Sequence, residues 1–304
     1  MEPKRVILDT DIGTDVDDCL ALALILASPE LELVAVTTVY GDVILRGRMV
    51  RKLLALRGRE DIPVAAGASR PLLGKVPVYW AGHEGRGLLG PGDEAFDPPP
   101  GHAVDLIVET VMAHPGKITL VAIGPLTNVA LAFLREPRLA TQLAGLVLMG
   151  GVVGGAAALH LPWVEHNFRC DPEAAHIVLS AGVIPTIVPL DVTTQVAIRP
   201  ADVARLRGVG DPFHQAVADQ VELYPPFVAR GWTYLHDPLA VATLIQPGLV
   251  RLEPVRAFVE TRGEHTAGAL LVALPTADAP ATARVALEVD APRAEQFIAE
   301  RLTR

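Results

Sequence analysis

The sequence predicts a doubly wound α/β fold, with a mainly parallel central sheet and helices on both faces, formed by one domain over residues 1–304. Three observations point there. Short runs such as VILDTD (6–11) and KITLVAIG (117–124) are apolar throughout, as strands buried on both faces require. Such runs alternate with helical patterns, the arrangement of βα units. Half of the 304 residues are apolar, enough for a large core, and neither a linker nor a fixed-period repeat divides the chain.

In chain order, VILDTD (6–11) reads as a buried strand and DDCLALALILAS (17–28) as the helix after it. ELVAVTTVY (32–40) is a second strand, followed by an amphipathic helix, ILRGRMVRKLLALRG (44–58), that ends at a glycine. FDPPPGHA (96–103) is a proline-rich surface loop. KITLVAIG and PLTNVALAFLR (125–135) repeat strand and helix, and LAGLVLMGG, DPEAAHIVLSAG (171–182), IPTIVPLD (184–191) and DPLAVATLI (237–245) continue the plan. The segment 201–232 reads as helical and outside the sheet, and 251–290 as two late strands, VRAFVET and GALLVAL, before a final helix, APRAEQFIAERL.

The formal charge of −9 argues against a nucleic-acid or anionic-membrane surface, because both need a basic face. The apolar stretch at 143–159 carries five glycines and no aromatic anchors, so a buried strand entering a glycine-rich loop fits better than a membrane span. MEPKRVILDTD has too short an apolar run for a secretory signal. Cys19 and Cys170 show no CxxC spacing, which favours a reduced, cytoplasmic compartment over a disulfide scaffold.

Ligands of open α/β sheets bind beyond the carboxyl ends of the strands. The polar residues there are Asp9 and Asp11, Tyr40 and Asp42, and those around Gly124, Gly150 and Asp191. Five aspartates, Asp9, Asp11, Asp15, Asp17 and Asp18, fall within ten positions, and carboxylates so close repel unless a cation or a proton holds them together. Helix capping explains one of the Asp17–Asp18 pair but not five acids. Hard oxygen donors suit Ca²⁺ or Mg²⁺. An EF-hand counted from Asp9 fails, since Thr14 and Leu20 stand where it needs Gly and Glu. A phosphatase of the haloacid-dehalogenase type, with Asp9 as nucleophile and Mg²⁺ nearby, matches VILDTDIGT loosely but lacks a later strand ending in an acidic pair.

Three distant segments, AIGPLTN, EHNFRCDPEAA and LHDPLAVA, each place polar residues between a strand and a helix. Taken singly, Thr127, Asp171 and Asp237 read as helix caps, the last two followed by a first-turn proline. Together with DTDIGTDVDD, TTVYGD, GHEGRGLLG, MGG and PLDVTTQ, in this order, they resemble the inosine–uridine preferring nucleoside hydrolase family. The resemblance runs from about residue 5 to 245 and more loosely to the end.

The resemblance implies hydrolysis of the N-glycosidic bond of ribonucleosides with bound Ca²⁺, and a homodimer or homotetramer. By it, Asp11 touches the metal and takes the proton from the attacking water. Asp18, the Ile123 carbonyl and Asp237 complete the metal ligands, and His236 protonates or steadies the departing base. Asp17, Glu165 and Asn167 contact ribose, and Asp9 supports the loop from beneath. His83 matches a base-side histidine and reads equally as a solvated loop residue. Tyr224 has the spacing of a base-side tyrosine. Trp163 and Trp232 are candidates to stack on a base or to pack.

The chain departs from the usual DxDPGxDD: Ile12 replaces the proline and two residues are inserted, so that Asp15 competes with Asp17 for the ribose contact. Asp17 is preferred because the adjacent pair sits at the helix start, and Asp15 is left unplaced. Asp42 stands where a ribose-contacting Asn is usual, and Leu159 where an Asn grips the 5′-hydroxyl. Those changes leave room for a non-catalytic nucleoside or ribose binder, against which the retained Asp11 and His236 argue.

Overall fold

In a computed structural model describing residues 2–154 and 159–304, nine strands build one sheet in the order β10-β9-β11-β6-β5-β4-β1-β2-β3. The strands are β1 (Lys4–Thr10), β2 (Leu31–Thr38), β3 (Val64–Ala66), β4 (Ile118–Ala122), β5 (Leu143–Met149), β6 (Thr186–Val188), β9 (Val250–Val259), β10 (Leu270–Ala273) and β11 (Ala283–Val289). A separate antiparallel ribbon pairs β7 (Ala197–Ile198) with β8 (Thr233–Tyr234). From β3 through β6 to β11 every pairing is parallel, and β9 adds antiparallel to β11 with β10 beyond it. The apolar strands require this burial: Val6, Ile7 and Leu8 of β1 and Leu120, Val121 and Ala122 of β4 are wholly buried.

The chain runs outward from β1 through β2 to β3, then returns to place β4 on the other side of β1. Such a reversal opens a crevice at the carboxyl ends of the two central strands. The helix Asp17–Leu26 leaves the end of β1, and all but its last residue are buried. A helix apolar on every side needs cover all round; the helix His236–Ile245 packs against it.

Several expected elements differ. IPTIVPLD forms only the short β6, and Leu190–Thr193 turn into a helix because Pro189 cannot donate to the sheet. The segment 201–232 forms helices Pro200–Gly208, Pro212–Leu223 and Pro225–Arg230, each with proline in its first turn. They do not stand apart, because Val203, Leu206, Phe213, Val217 and Val221 join the main core. A third late strand, β11, joins the two expected ones and carries the link back to β6. The stretch 143–159 begins as buried β5, while its residues 155–158 lie outside the described residues. No helix among the described residues is long and apolar enough to cross a membrane.

Candidate active site

Beyond β1 the chain delivers its acids in different directions. Asp9 is wholly buried inside the sheet, where its Oδ1 accepts from Thr37 Oγ1 at 2.6 Å and Asn128 Nδ2 at 2.8 Å. Its Oδ2 has no partner, and burial pushes its carboxyl up to about 7. Asp11 leaves the strand and lines a cavity of about 600 Å³ with Asp17, Asp18 and Asp237. Asp17 and Asp18 open their helix, yet neither caps it: the N-cap is Val16, without a side-chain bond. Instead Asp17 Oδ2 accepts from the Asp237 backbone N–H at 3.2 Å, and Asp18 Oδ1 accepts from Thr10 Oγ1. Asp237 likewise sits inside the first turn of His236–Ile245 and caps nothing.

One oxygen each of Asp17, Asp18 and Asp237 lies within 4.8 Å of the others. Burial raises all three carboxyls well above their usual range, and mutual repulsion adds to it. Asp11 is raised by burial too, although the Arg46 guanidinium works against the shift. Among the described residues no lysine or arginine lines the cavity. A set of buried oxygen donors lacking a counter-cation fits a hard divalent ion and not a soft one.

The opposite wall comes from the turn after β4. The Ile123 carbonyl accepts from Asn167 Nδ2 at 2.9 Å, and that amide nitrogen also reaches the Met149 carbonyl at 3.1 Å. Both Asn167 N–H groups are thereby engaged, which leaves Oδ1 as an acceptor. Glu165 is buried as the N-cap of His166–Cys170, accepting from the Asn167, Phe168 and Gly151 N–H groups. Both residues line the cavity. Gly124 is required here, because a Cβ would stand 2.8 Å from Asp11 Oδ1 and 2.9 Å from Val39.

His236, Tyr224 and His83 face the same cavity. His236 Nδ1 lies 2.7 Å from Thr193 Oγ1, and burial lowers the imidazole to about 4. Tyr224 Oη donates to Asp15 Oδ2 at 2.7 Å, and His83 Nε2 donates to the Thr14 carbonyl at 3.0 Å. Asp42 is not brought to the site: exposed, it caps Val43–Leu56 through the Leu45 N–H at 2.9 Å. Leu159 and Trp163 are exposed and Trp232 stacks edge-on against Tyr234; none lines the cavity. Asp191 holds the Val153 and Gly154 N–H groups, away from it. Asp171 does cap Pro172–Ser180, and Thr127 donates to it at 2.6 Å.

Thr193 and Arg46 were not legible in the sequence, and Asp15 was seen there without being placed. Asp15 lines the cavity from the inserted stretch, Thr193 orients His236, and Arg46 props the acidic loop. Arg46 is wholly buried and donates to the carbonyls of Tyr40 and Ile12, each at 2.6 Å, and to that of Asp11. It also reaches Thr14 Oγ1 at 3.0 Å beneath the Trp80 ring.

A family model described as inosine–uridine preferring nucleoside hydrolase matches residues 6–296. The chain belongs to this family. It is 36% identical over 308 residues to the pyrimidine-specific ribonucleoside hydrolase RihA of Salmonella gallinarum, covering 98% of this chain and 97% of that one. Among solved structures it is similar to a plant nucleoside hydrolase, with a TM-score of 0.87, 31% identity and 99% of both chains covered. A purine-preferring ribonucleoside hydrolase from Gardnerella vaginalis gives the same TM-score of 0.87 at 30% identity, covering 99% and 98%. This nucleoside hydrolase is therefore an enzyme of N-glycosyl bonds. The phosphatase alternative falls with the family match, and physically with Asp9, which is sealed within the sheet and does not line this cavity.

Proposed function

We propose that the chain hydrolyses the N-glycosidic bond of ribonucleosides in a Ca²⁺-dependent reaction, releasing ribose and the free base. The observation that carries this reading is one cavity lined by both an all-oxygen cluster and His236, with no lysine or arginine among its described lining residues. Asp11, Asp18, Asp237 and the Ile123 carbonyl would hold the ion. Calcium, when bound, supplies positive charge that orients sugar hydroxyls and makes a neighbouring water more acidic.

The remaining steps belong to the chain's own groups. Asp17 and the Oδ1 of Asn167 accept from ribose hydroxyls, with Glu165 behind them. Asp11 takes the proton of the attacking water. As the bond to the base breaks, the ring gains positive charge, which the surrounding carboxylates stabilise. A Thr193 hydroxyl donating across the 2.7 Å contact to Nδ1 would put the His236 proton on Nε2, ready to hydrogen-bond the departing base. The proposal includes a cytoplasmic setting, supported by Cys19 and Cys170 being buried free thiols. Assembly as a homodimer or homotetramer rests on the family resemblance alone.

The test is incubation with uridine, cytidine, inosine and adenosine, with and without a chelator, followed by measurement of reducing sugar. Sugar release that chelation abolishes is expected. No release from any of the four at high enzyme would sink the hydrolase reading, and calorimetric binding without turnover would point to a binder.

A further inference from the structure

Asp15, Tyr224 and His83 come from three distant segments and meet on one side of the cavity. Tyr224 has a single O–H, and it is directed at Asp15 Oδ2 over 2.7 Å. Its oxygen can therefore only accept from a ligand. The other Asp15 oxygen, Oδ1, accepts from the Val16 N–H at 2.6 Å, and a carboxylate has no hydrogen to give. His83 lines the cavity and places its Nε2–H on the Thr14 carbonyl, 3.0 Å away, which leaves Nδ1 as the ring nitrogen able to accept. The rings of His83 and Tyr224 lie 6.1 Å apart, so these acceptors form one continuous surface. Among the described residues no lysine or arginine lines this cavity, and Arg86 meets Asp15, His83 and Tyr224 only in a smaller adjoining pocket.

We propose that the Asp15–Tyr224–His83 surface is an acceptor-only base subsite, which selects nucleosides whose base projects an amino group over those projecting a carbonyl. This inference rests on the nucleoside-hydrolase reading of the cavity and adds a specificity-determining residue, Asp15, from the inserted stretch. An amino group gives two N–H donors to these acceptors. A carbonyl in the same place sets lone pair against lone pair. The 5′-hydroxyl is another donor that could reach Asp15, but it is common to all nucleosides and cancels in a comparison of bases.

The experiment compares two matched pairs, cytidine with uridine and adenosine with inosine, on the calcium-loaded protein. Both kcat/KM and calorimetric Kd are measured for the wild type, Asp15→Asn and Tyr224→Phe. The wild type is expected to favour the amino member of each pair by ~10-fold or more. Asp15→Asn should bring each ratio to within about 3-fold of unity, because the carboxamide supplies the donor that a carbonyl needs. Tyr224→Phe should keep the amino preference, since Asp15 still accepts. A carbonyl preference in the wild type overturns the inference without any variant, as does a ratio that Asp15→Asn leaves unmoved. The Kd ratios read base preference without turnover. Absence of sugar release would therefore defeat the hydrolase reading, while the affinities would still decide this one.

Discussion

Asp11 and His236 line the same cavity, and each can be tested singly. Asp11→Asn keeps the size and polarity of the side chain but removes the proton acceptor. A loss in kcat of ~10²–10⁴-fold with KM within about 3-fold is expected from steady-state kinetics. A mutant of undiminished kcat would remove Asp11 from the role of base. For His236 the informative change lies one residue away, at Thr193, whose Oγ1 is 2.7 Å from Nδ1. Thr193→Val should lower kcat ~10-fold, with Thr193→Ser restoring it, because only the hydroxyl matters to the ring proton. Equal rates in the Val and Ser variants would discard that role. Residue-level legibility was uneven for a physical reason. Carboxylates clustered in sequence announce themselves, since their repulsion demands a partner. Thr193 acts through one long-range hydrogen bond and Arg46 through several, and nothing in PLDVTTQ or ILRGRMVRK separates them from neighbours of the same type. Glu165 was visible, but its capping of His166–Cys170 and its place in the cavity are one arrangement, not competing ones.

At the scale of elements, two strand ends and two helix starts build the floor of the site, and the backbone between them is held tightly. Tyr40 is the only described non-glycine residue with positive φ, at 65°, a conformation that costs roughly 1–2 kcal/mol for an L-residue. Arg46 accepts the consequence by binding its carbonyl together with those of Asp11 and Ile12. Arg46→Met would leave these buried carbonyls unpaired, at about 1–3 kcal/mol for each group left so. Denaturant unfolding should show a loss of about 3 kcal/mol or more; a loss under about 1 kcal/mol would mean that the loop holds itself. Gly124→Ala acts from the other strand, pressing a methyl to within 2.8 Å of Asp11 Oδ1 and 3.0 Å of its backbone nitrogen. A fall in kcat of ~10-fold or more is expected, because the Asp11 backbone cannot retreat from between two strands. The parallel strands were readable because double-sided burial leaves them uniformly apolar. β11 was not, because Arg284, Leu287 and Glu288 reach solvent and interrupt the pattern. Asp17 and Asp237 looked like caps at the sequence level, yet their oxygens are turned from their own helices toward one another across the sheet's crevice.

Across the whole molecule, the sheet concentrates like charge at one place and leaves it unneutralised. Asp11, Asp17, Asp18 and Asp237 converge from β1 and two helices, burial raises all four carboxyls, and among the described residues no lysine or arginine lines their cavity. Without an ion, folding must desolvate these groups and set them against one another, so the native state bears a cost that the unfolded chain avoids. A divalent cation bound only by the native state reverses that balance by mass action. At a free concentration 100 times its Kd the gain is about 2.7 kcal/mol. For a chain of 304 residues this corresponds to a rise in Tm of about 4 °C, taking the usual unfolding entropy per residue. Calorimetric scans with calcium and with excess chelator should show this difference. Asp237→Ala, which removes one oxygen donor and one repelling charge, should nearly abolish it while raising the Tm of the chelated protein. An equal Tm with and without calcium, or a calcium shift that Asp237→Ala leaves intact, would mean that the cluster is stabilised by protons and holds no ion.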